Sequence, residues 1–383
     1  MTFFRSRWCD APDGAEELEP ATLAPGFRAA AVHCGLKRAG ETDVGLIACD
    51  SDQVTSAVLL TRNAAAAAPV RVCRDRCDLG AIRAVVVNSG NANAATGEQG
   101  ILDALAMQDG AATALGIPGV SVAVAETGVI GVPLEAGAVL AGIRGAADEL
   151  SERGGVDFCR AMMTTDRGPK QVTLRVGGVT VSAQAKGAGM IEPGFATMLC
   201  FVQTDAEIGD PGAALRRAVA SSFERITVDG QMSTNDTVVL QATGAARRPL
   251  PEGVLDAVLL QLALEVVADG EGAERVARIR VTGGRDQSEA EGVARAIANS
   301  PLVKTALTGR DANWGRIAQA AGMALAGEEW DEPGPHSIEF EELEAETSEA
   351  EIAIDLGRGD ATAHVYFSDL THEYIRINAE YTT

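Results

Sequence analysis

Short runs of β-branched and apolar residues recur along this chain, at 44–49, 56–61, 70–74, 84–88, 121–125, 198–204, 237–242 and 276–281. Runs of that length read as strands. Between them lie segments with helical spacing, at 98–115, 134–149, 211–223, 253–268, 288–298 and 314–326. On the first of these, Ile101, Leu102, Leu105 and Ala106 share one face. Runs at 171–176 and 179–183 flank Gly177-Gly178, a two-residue hairpin signal. Strands at 337–341, 351–356, 362–367 and 374–378 close the chain. Asn299-Ser300-Pro301 stops the helix before it, and Asp311 or Asn313 opens the next. Aromatics are only 4%, so the core must be built from Ala, Val, Leu and Ile. Such a core suits sheets covered by helices, and the expected class is α+β with mixed sheets. At about 150 residues per domain, 383 residues imply two or three domains, or one large mixed fold with an appendage.

The formal net charge is −22, from 54 acidic and 32 basic side chains. A surface this negative repels phosphate backbones and anionic lipid, so neither nucleic acid nor membrane is an expected partner. The first 20 residues read as a loosely held arm; they carry Arg5 and Arg7 but no apolar core of a signal peptide. No stretch approaches the ~20 apolar residues needed to cross a bilayer. Seven scattered cysteines fit reduced cytosolic thiols, and Cys73-x3-Cys77 lacks the second pair a zinc site needs. A cytoplasmic enzyme without a metal is the expectation.

The familiar catalytic motifs are missing: there is no G-x-S-x-G, no phosphate loop and no H-E-x-x-H. Four histidines are present, and His364 alternates within a strand and reads as structural. What stands out are small polar segments in apolar surroundings: Asn88-Ser89-Gly90-Asn91-Ala92-Asn93, Thr164-Thr165-Asp166, Lys186-Gly187-Ala188-Gly189-Met190, Ser233-Thr234-Asn235-Asp236-Thr237 and Asp311-Ala312-Asn313-Trp314-Gly315-Arg316. Each alone reads as a turn. Thr197 follows Ala196 and opens the run Met198-Leu199-Cys200-Phe201-Val202. It is either a strand-initiating Thr or a latent nucleophile. Cutting the bond before it would place a free α-amine, with a pKa of roughly 7.7–8.0, beside its own hydroxyl. Such a residue needs no histidine.

These segments together resemble the ornithine acetyltransferase (glutamate N-acetyltransferase) family of arginine biosynthesis, from about residue 25 to 383. The resemblance also draws on Ser300-Pro301-Leu302-Val303-Lys304-Thr305 and Asn378-Ala379-Glu380-Tyr381. It implies autocatalytic cleavage between Ala196 and Thr197, giving an α chain (1–196) and a β chain (197–383) that assemble as α2β2. It implies that Thr197 takes acetyl from N2-acetylornithine and passes it to glutamate. In some members acetyl-CoA also donates, as a co-substrate and not a bound cofactor. The layering implied is that of N-terminal-nucleophile hydrolases with a topology of its own. The expected organisation is an arm at 1–24, a catalytic core at 25–275 and a smaller C-terminal α/β domain at 276–383.

Carried over position by position, Thr197 is the nucleophile, and Thr127 and Gly128 form the oxyanion hole. Thr164, Lys186, Thr197, Glu271, Asn378 and Thr383 hold substrate. The chain departs from the family pattern at Glu126, where Ser is common, and at Phe195, Ala95 and Ala312. A carboxylate at 126 is expected to stand beside the acyl site, weakening the oxyanion or binding a substrate amine. Three rivals stay open. One is an aminopeptidase or amidase whose acyl-enzyme meets water. Another is an acetyltransferase of secondary metabolism, and the last is a non-catalytic subunit.

Overall fold

The computed structural model describes residues 3–192, 198–330, 334–341 and 348–380. The expected Ala196–Thr197 bond, Phe195 and Thr383 lie outside the described residues. In chain order the first elements are β1 (Glu16–Glu17), β2 (Phe27–Val32), β3 (Val44–Cys49), β4 (Thr55–Leu60), α1 (Ala68–Arg76), β5 (Ala84–Asn91), α2 (Gly97–Leu115) and β6 (Val122–Val129). There follow α3 (Ala136–Asp148), α4 (Gly155–Met162), β7 (Lys170–Val176), β8 (Val179–Lys186), β9 (Leu199–Thr204), α5 (Pro211–Ala220), β10 (Ile226–Thr227), β11 (Thr237–Ala242) and α6 (Val254–Ala268). The last are β12 (Val276–Gly284), α7 (Gln287–Ala298), α8 (Pro301–Thr308), α9 (Trp314–Ala324), β13 (Ser337–Glu341), β14 (Glu349–Asp355), β15 (Ala361–Ser368) and α10 (His372–Glu380).

Two sheets stack face to face. One has the order β1-β7-β8-β9-β11-β4, the other β2-β3-β5-β6. The alternation of β9 shows how they share a core. Leu199 and Phe201 pack with β2, β3, β5 and β6, while Met198, Cys200 and Val202 pack on the opposite side with α5 and α6. A strand covered on both faces needs an unbroken apolar run, which is what 198–202 supplies. Helices α1, α2 and α3 cover the outer face of the smaller sheet. The result is four layers, helix, sheet, sheet, helix, as expected for the class. A third, mixed sheet, β10-β15-β12-β14-β13, is covered by α7, α8 and α9 around a core of its own.

Three expectations are corrected. The run 70–74 is helical, inside α1: Pro69 sits in the first turn, where its missing N–H costs nothing. Val70 and Val72 are buried there, so tertiary packing overrides their strand preference. The run 374–378 is also helical, within α10, where Arg376 pairs with Glu373 at 2.5 Å and Glu380 at 3.1 Å. The arm is not loosely held. Phe3 and Cys9 are buried in the core, β1 pairs with β7, and Trp8 meets Tyr366 with ring centroids 5.3 Å apart. Its aromatic side chains drive that docking. Pro301 stops α7 as expected but also starts α8, which Ser300 caps.

No helix among the described residues is long and apolar enough to cross a membrane.

Candidate active site

Four of the five polar segments converge where the two stacked sheets meet. β6 brings Thr127 and Gly128 to its end, aligned with Ser89 and Gly90 of β5. Gly128 has φ +132°, and a Cβ there would stand 2.3 Å from the carbonyl carbon of Gly90, so only glycine fits. β8 ends in Lys186, which is 2% exposed. Its Nζ donates to Thr164 Oγ1 at 2.8 Å and to Thr127 Oγ1 at 3.3 Å. Two expected site residues, 59 and 22 positions from Lys186 in the chain, are thereby joined to it through one ammonium.

A buried ammonium needs a counter-charge. Asp166 Oδ2 lies 4.0 Å from Lys186 Nζ, and Asp166 Oδ1 is 2.6 Å from Lys170 Nζ. Lys170 in turn bonds Asp269 Oδ2 at 2.5 Å. Burial pushes the Asp166 carboxyl up, but Lys186, Lys170 and the Gly187 N–H outweigh it and hold it well below the usual carboxylate range. Burial lowers the Lys186 ammonium, and Asp166 offsets only part of that. Lys170, between two carboxylates, is raised despite its burial. Lys170 and Asp269 were not among the expected site residues, although Asp166 and Lys170 stand four positions apart.

Removing Lys170 should expose what this network holds. Lys170→Met leaves the buried Asp166 with two backbone N–H donors but only one cation, 4.0 Å away, and should destabilise the chain by roughly 3–5 kcal/mol. Urea denaturation reads this, and Asp166→Asn combined with Lys170→Met should lose less than the two changes summed.

The second group is acidic. Glu271 Oε1 accepts from Thr165 Oγ1 at 2.8 Å, and its Oε2 accepts from Asn378 Nδ2 of α10 at 2.7 Å. A Cβ on Gly189 would stand 2.7 Å from the Glu271 carboxyl, so the glycine makes room for it. Thr164 and Thr165 are adjacent, so the Lys186 and Glu271 clusters meet at that dipeptide.

Both flanks of 193–197 are anchored on carboxylates of one stretch of chain, the half-buried Asp229 and the buried Asp236. Before it, Met190 N and Ile191 N donate to Asp229 at 2.7 and 3.0 Å. After it, Met198 N donates to Asp236 Oδ1 at 3.0 Å. Burial raises both acids, Asp236 well above its ordinary range. Asn235, next to Asp236, donates to Ala92 O at 2.6 Å and Glu126 O at 2.9 Å, which ties this stretch to the 88–97 loop and β6. Backbone partners such as these leave no mark in a sequence.

Glu126 is corrected. It is fully buried and sits on the face of β6 opposite Thr127, toward α2 and the 88–97 loop, because side chains alternate along a strand. It therefore does not stand beside the Thr127 side chain, contrary to expectation. His364 packs edge-on against Tyr366 and burial pushes its pKa down to about 4, which fits a structural role. Cys73 and Cys77 bond the β6 backbone at Val124 and Val122. The 300–305 and 313–316 segments shape α8 and α9 over the third sheet, although the buried Lys304 of α8 still feels the charge of Asp229.

Comparison with known proteins gives a consistent picture. Residues 28–383 match the ArgJ family. The arginine biosynthesis bifunctional protein ArgJ of Symbiobacterium thermophilum is 44% identical, over 96% of this chain and 100% of that protein. Its counterpart in Geobacter sulfurreducens is 42% identical, over 94% of this chain and 99% of that protein. A solved structure of ornithine acetyltransferase complexed with ornithine, from Mycobacterium tuberculosis, is 38% identical over 47% of this chain and 98% of that chain, with a TM-score of 0.45. Matched along nearly its full length by the family and by the Symbiobacterium and Geobacter proteins, the chain belongs to the ArgJ family.

Proposed function

We propose that the chain is a glutamate N-acetyltransferase of arginine biosynthesis, moving acetyl from N2-acetylornithine to glutamate through an acetyl ester on Thr197. Family membership supports the reaction class, and the relatives' names place them in arginine biosynthesis. The observation that carries the site assignment is Lys186 Nζ lying between the Thr127 and Thr164 hydroxyls. An ammonium donating to Thr127 Oγ1 leaves the hydroxyl's own proton free to point outward. Thr127 then stabilises a developing oxyanion together with the Gly128 N–H.

In the first half-reaction, Thr197 Oγ attacks the acetyl carbonyl while the Thr197 α-amine takes the hydroxyl proton. The tetrahedral intermediate collapses, the amide C–N bond breaks, and the proton passes to the leaving ornithine nitrogen. Glutamate nitrogen then attacks the ester, and Thr197 Oγ leaves with a proton returned. Thr164 and Lys186 on one side, and Glu271 and Asn378 on the other, hold the charged ends of the substrates, with Thr197 and Thr383 the remaining proposed substrate-binding residues. Acetyl-CoA enters as a second donor to the same Thr197, with no bound cofactor. Cleavage between Ala196 and Thr197 frees the nucleophile, and the two chains assemble as α2β2 in the cytoplasm. The arm at 1–24, core at 25–275 and C-terminal domain at 276–383 remain the proposed division.

A covalent intermediate lets ornithine leave before glutamate binds. Initial rates against both substrates should therefore give parallel lines. Intersecting lines would mean direct transfer in a ternary complex, and steady acetate release without glutamate would mean a hydrolase.

A further inference from the structure

Glu126 stands one residue before Thr127 and Gly128 and plays no part in the mechanism above. Its Oε1 accepts from Asn93 Nδ2 at 2.9 Å, while its Oε2 is buried with no hydrogen-bond partner among the described residues. Asn88 of β5 is its register partner on the neighbouring parallel strand, so the two side chains project from the same face. Asn88 Nδ2 donates to Asn91 O at 2.9 Å, which fixes the amide's orientation and leaves Oδ1 as an acceptor. That Oδ1 is also buried without a partner among the described residues. Two neighbouring acceptors with no donor between them are an arrangement that folded proteins avoid. One proton on Glu126 Oε2 supplies the missing donor to both.

The surroundings favour that proton. The titratable groups facing Glu126 are Asp103 of α2 and Cys73 of α1, and no basic side chain among the described residues pairs with it. Asp103 is itself bonded by Gln99 Nε2 at 2.9 Å. Burial, reinforced by Asp103 and only partly offset by Asn93, pushes the Glu126 pKa up to about 8.

We infer that Glu126 is a positioning residue, held as the neutral acid and bonded to Asn88 Oδ1, which pins the end of β6 that carries Thr127 and Gly128. The inference rests on the oxyanion assignment proposed above. The same residue's carbonyl accepts from Asn235, beside the Asp236 that anchors Met198. It therefore links the oxyanion pair to the chain next to the nucleophile. Ionisation places a negative charge against Asn88 Oδ1 and near Asp103, and the end of β6 loses its tie. Because the folded-state pKa is raised, the stabilised neutral form prevails at lower pH and is lost as pH rises through about 8.

The test uses the mature enzyme and two variants. Glu126→Gln is neutral at every pH; its amide still donates to Asn88 and accepts from Asn93. Glu126→Ala removes both contacts, leaving Asn88 Oδ1 without a donor and Asn93 Nδ2 with Gly100 O alone. The infrared difference between wild type and Glu126→Gln at pH 6 should contain a protonated-carboxyl C=O band that fades as pH rises. Glu126→Gln should keep kcat within about threefold of wild type at pH 7 and lack the alkaline decline that wild type shows in the same assay. Glu126→Ala should lower kcat by roughly 10- to 100-fold with KM little changed, the scale of a slight misplacement of catalytic groups. Absence of the band, a Gln variant as impaired as Ala, or an Ala variant with wild-type kcat would each overturn the inference. The infrared arm needs no turnover. A wild-type enzyme without transferase activity would count against the acyl-transfer reading, while the band would still decide the state of Glu126.

Discussion

Thr197→Ala is expected to give a folded chain that is neither cut nor able to transfer acetyl. The proposed Thr197 performs two reactions with one hydroxyl, first on the carbonyl of Ala196 and then on the substrate. Losing that hydroxyl should stop both. The fold should survive, because the anchors on either side do not use the Thr197 side chain: Asp229 holds Met190 and Ile191, and Asp236 holds Met198. Thr197→Ser keeps the hydroxyl but loses the methyl that restricts χ1. It should retain part of each activity. A denaturing gel reads cleavage, and a coupled assay for ornithine release reads transfer. Near wild-type transfer by Thr197→Ala would show that the nucleophile lies elsewhere.

The second large effect is expected from Lys186. Its ammonium donates to Thr127 and Thr164 and is 2% exposed, so no solvent replaces it. Lys186→Met removes the donor that orients the Thr127 hydroxyl. The expected loss is on the order of 10²–10³ in kcat, the range for removing one oxyanion-hole donor. Stability should change less than in Lys170→Met. Asp166 keeps Lys170 at 2.6 Å, the Gly187 N–H at 2.7 Å and the Thr164 N–H at 3.0 Å. The two lysines therefore make a diagnostic pair: Lys170→Met costs mainly stability, Lys186→Met mainly turnover. A Lys186→Met enzyme within a few-fold of wild-type kcat would remove Lys186 from the site.

How legible the fold was depends on which faces each element buries. Strands covered on both sides announce themselves as unbroken apolar runs, and the expected bounds for β3, at 44–49, and β11, at 237–242, coincide with the structure. The helix at 374–378 was misread for the opposite reason. Tyr374, Ile375, Arg376, Ile377 alternate like a strand, yet no residue of α10 is buried, so no sheet face enforces the alternation. α4, at Gly155–Met162, was missed because it is only two turns long, although Phe158, Cys159 and Met162 are buried. Residues in the site became legible only through the family resemblance. Thr127, Thr164 and Lys186 are far apart in the chain, and only the stacking of two sheets brings them to one ammonium. Asp229 and Asp236 bond backbone N–H groups, which no side-chain pattern reports. Glu126 could have been placed from alternation alone, since a residue adjacent to Thr127 in a strand must face the other way.

The central claim is that cleavage frees Thr197 and that Thr197 carries the acetyl group. Intact-mass measurement of purified wild-type protein, before and after adding N2-acetylornithine alone, tests both parts together. Without donor, two species are expected, corresponding to residues 1–196 and 197–383. With donor, the second should gain about 42 Da, one acetyl group on the nucleophile, and peptide mapping should place it on Thr197. Glutamate should then remove it. An uncut chain that turns over, or an acetyl group carried on any other residue, would contradict the account.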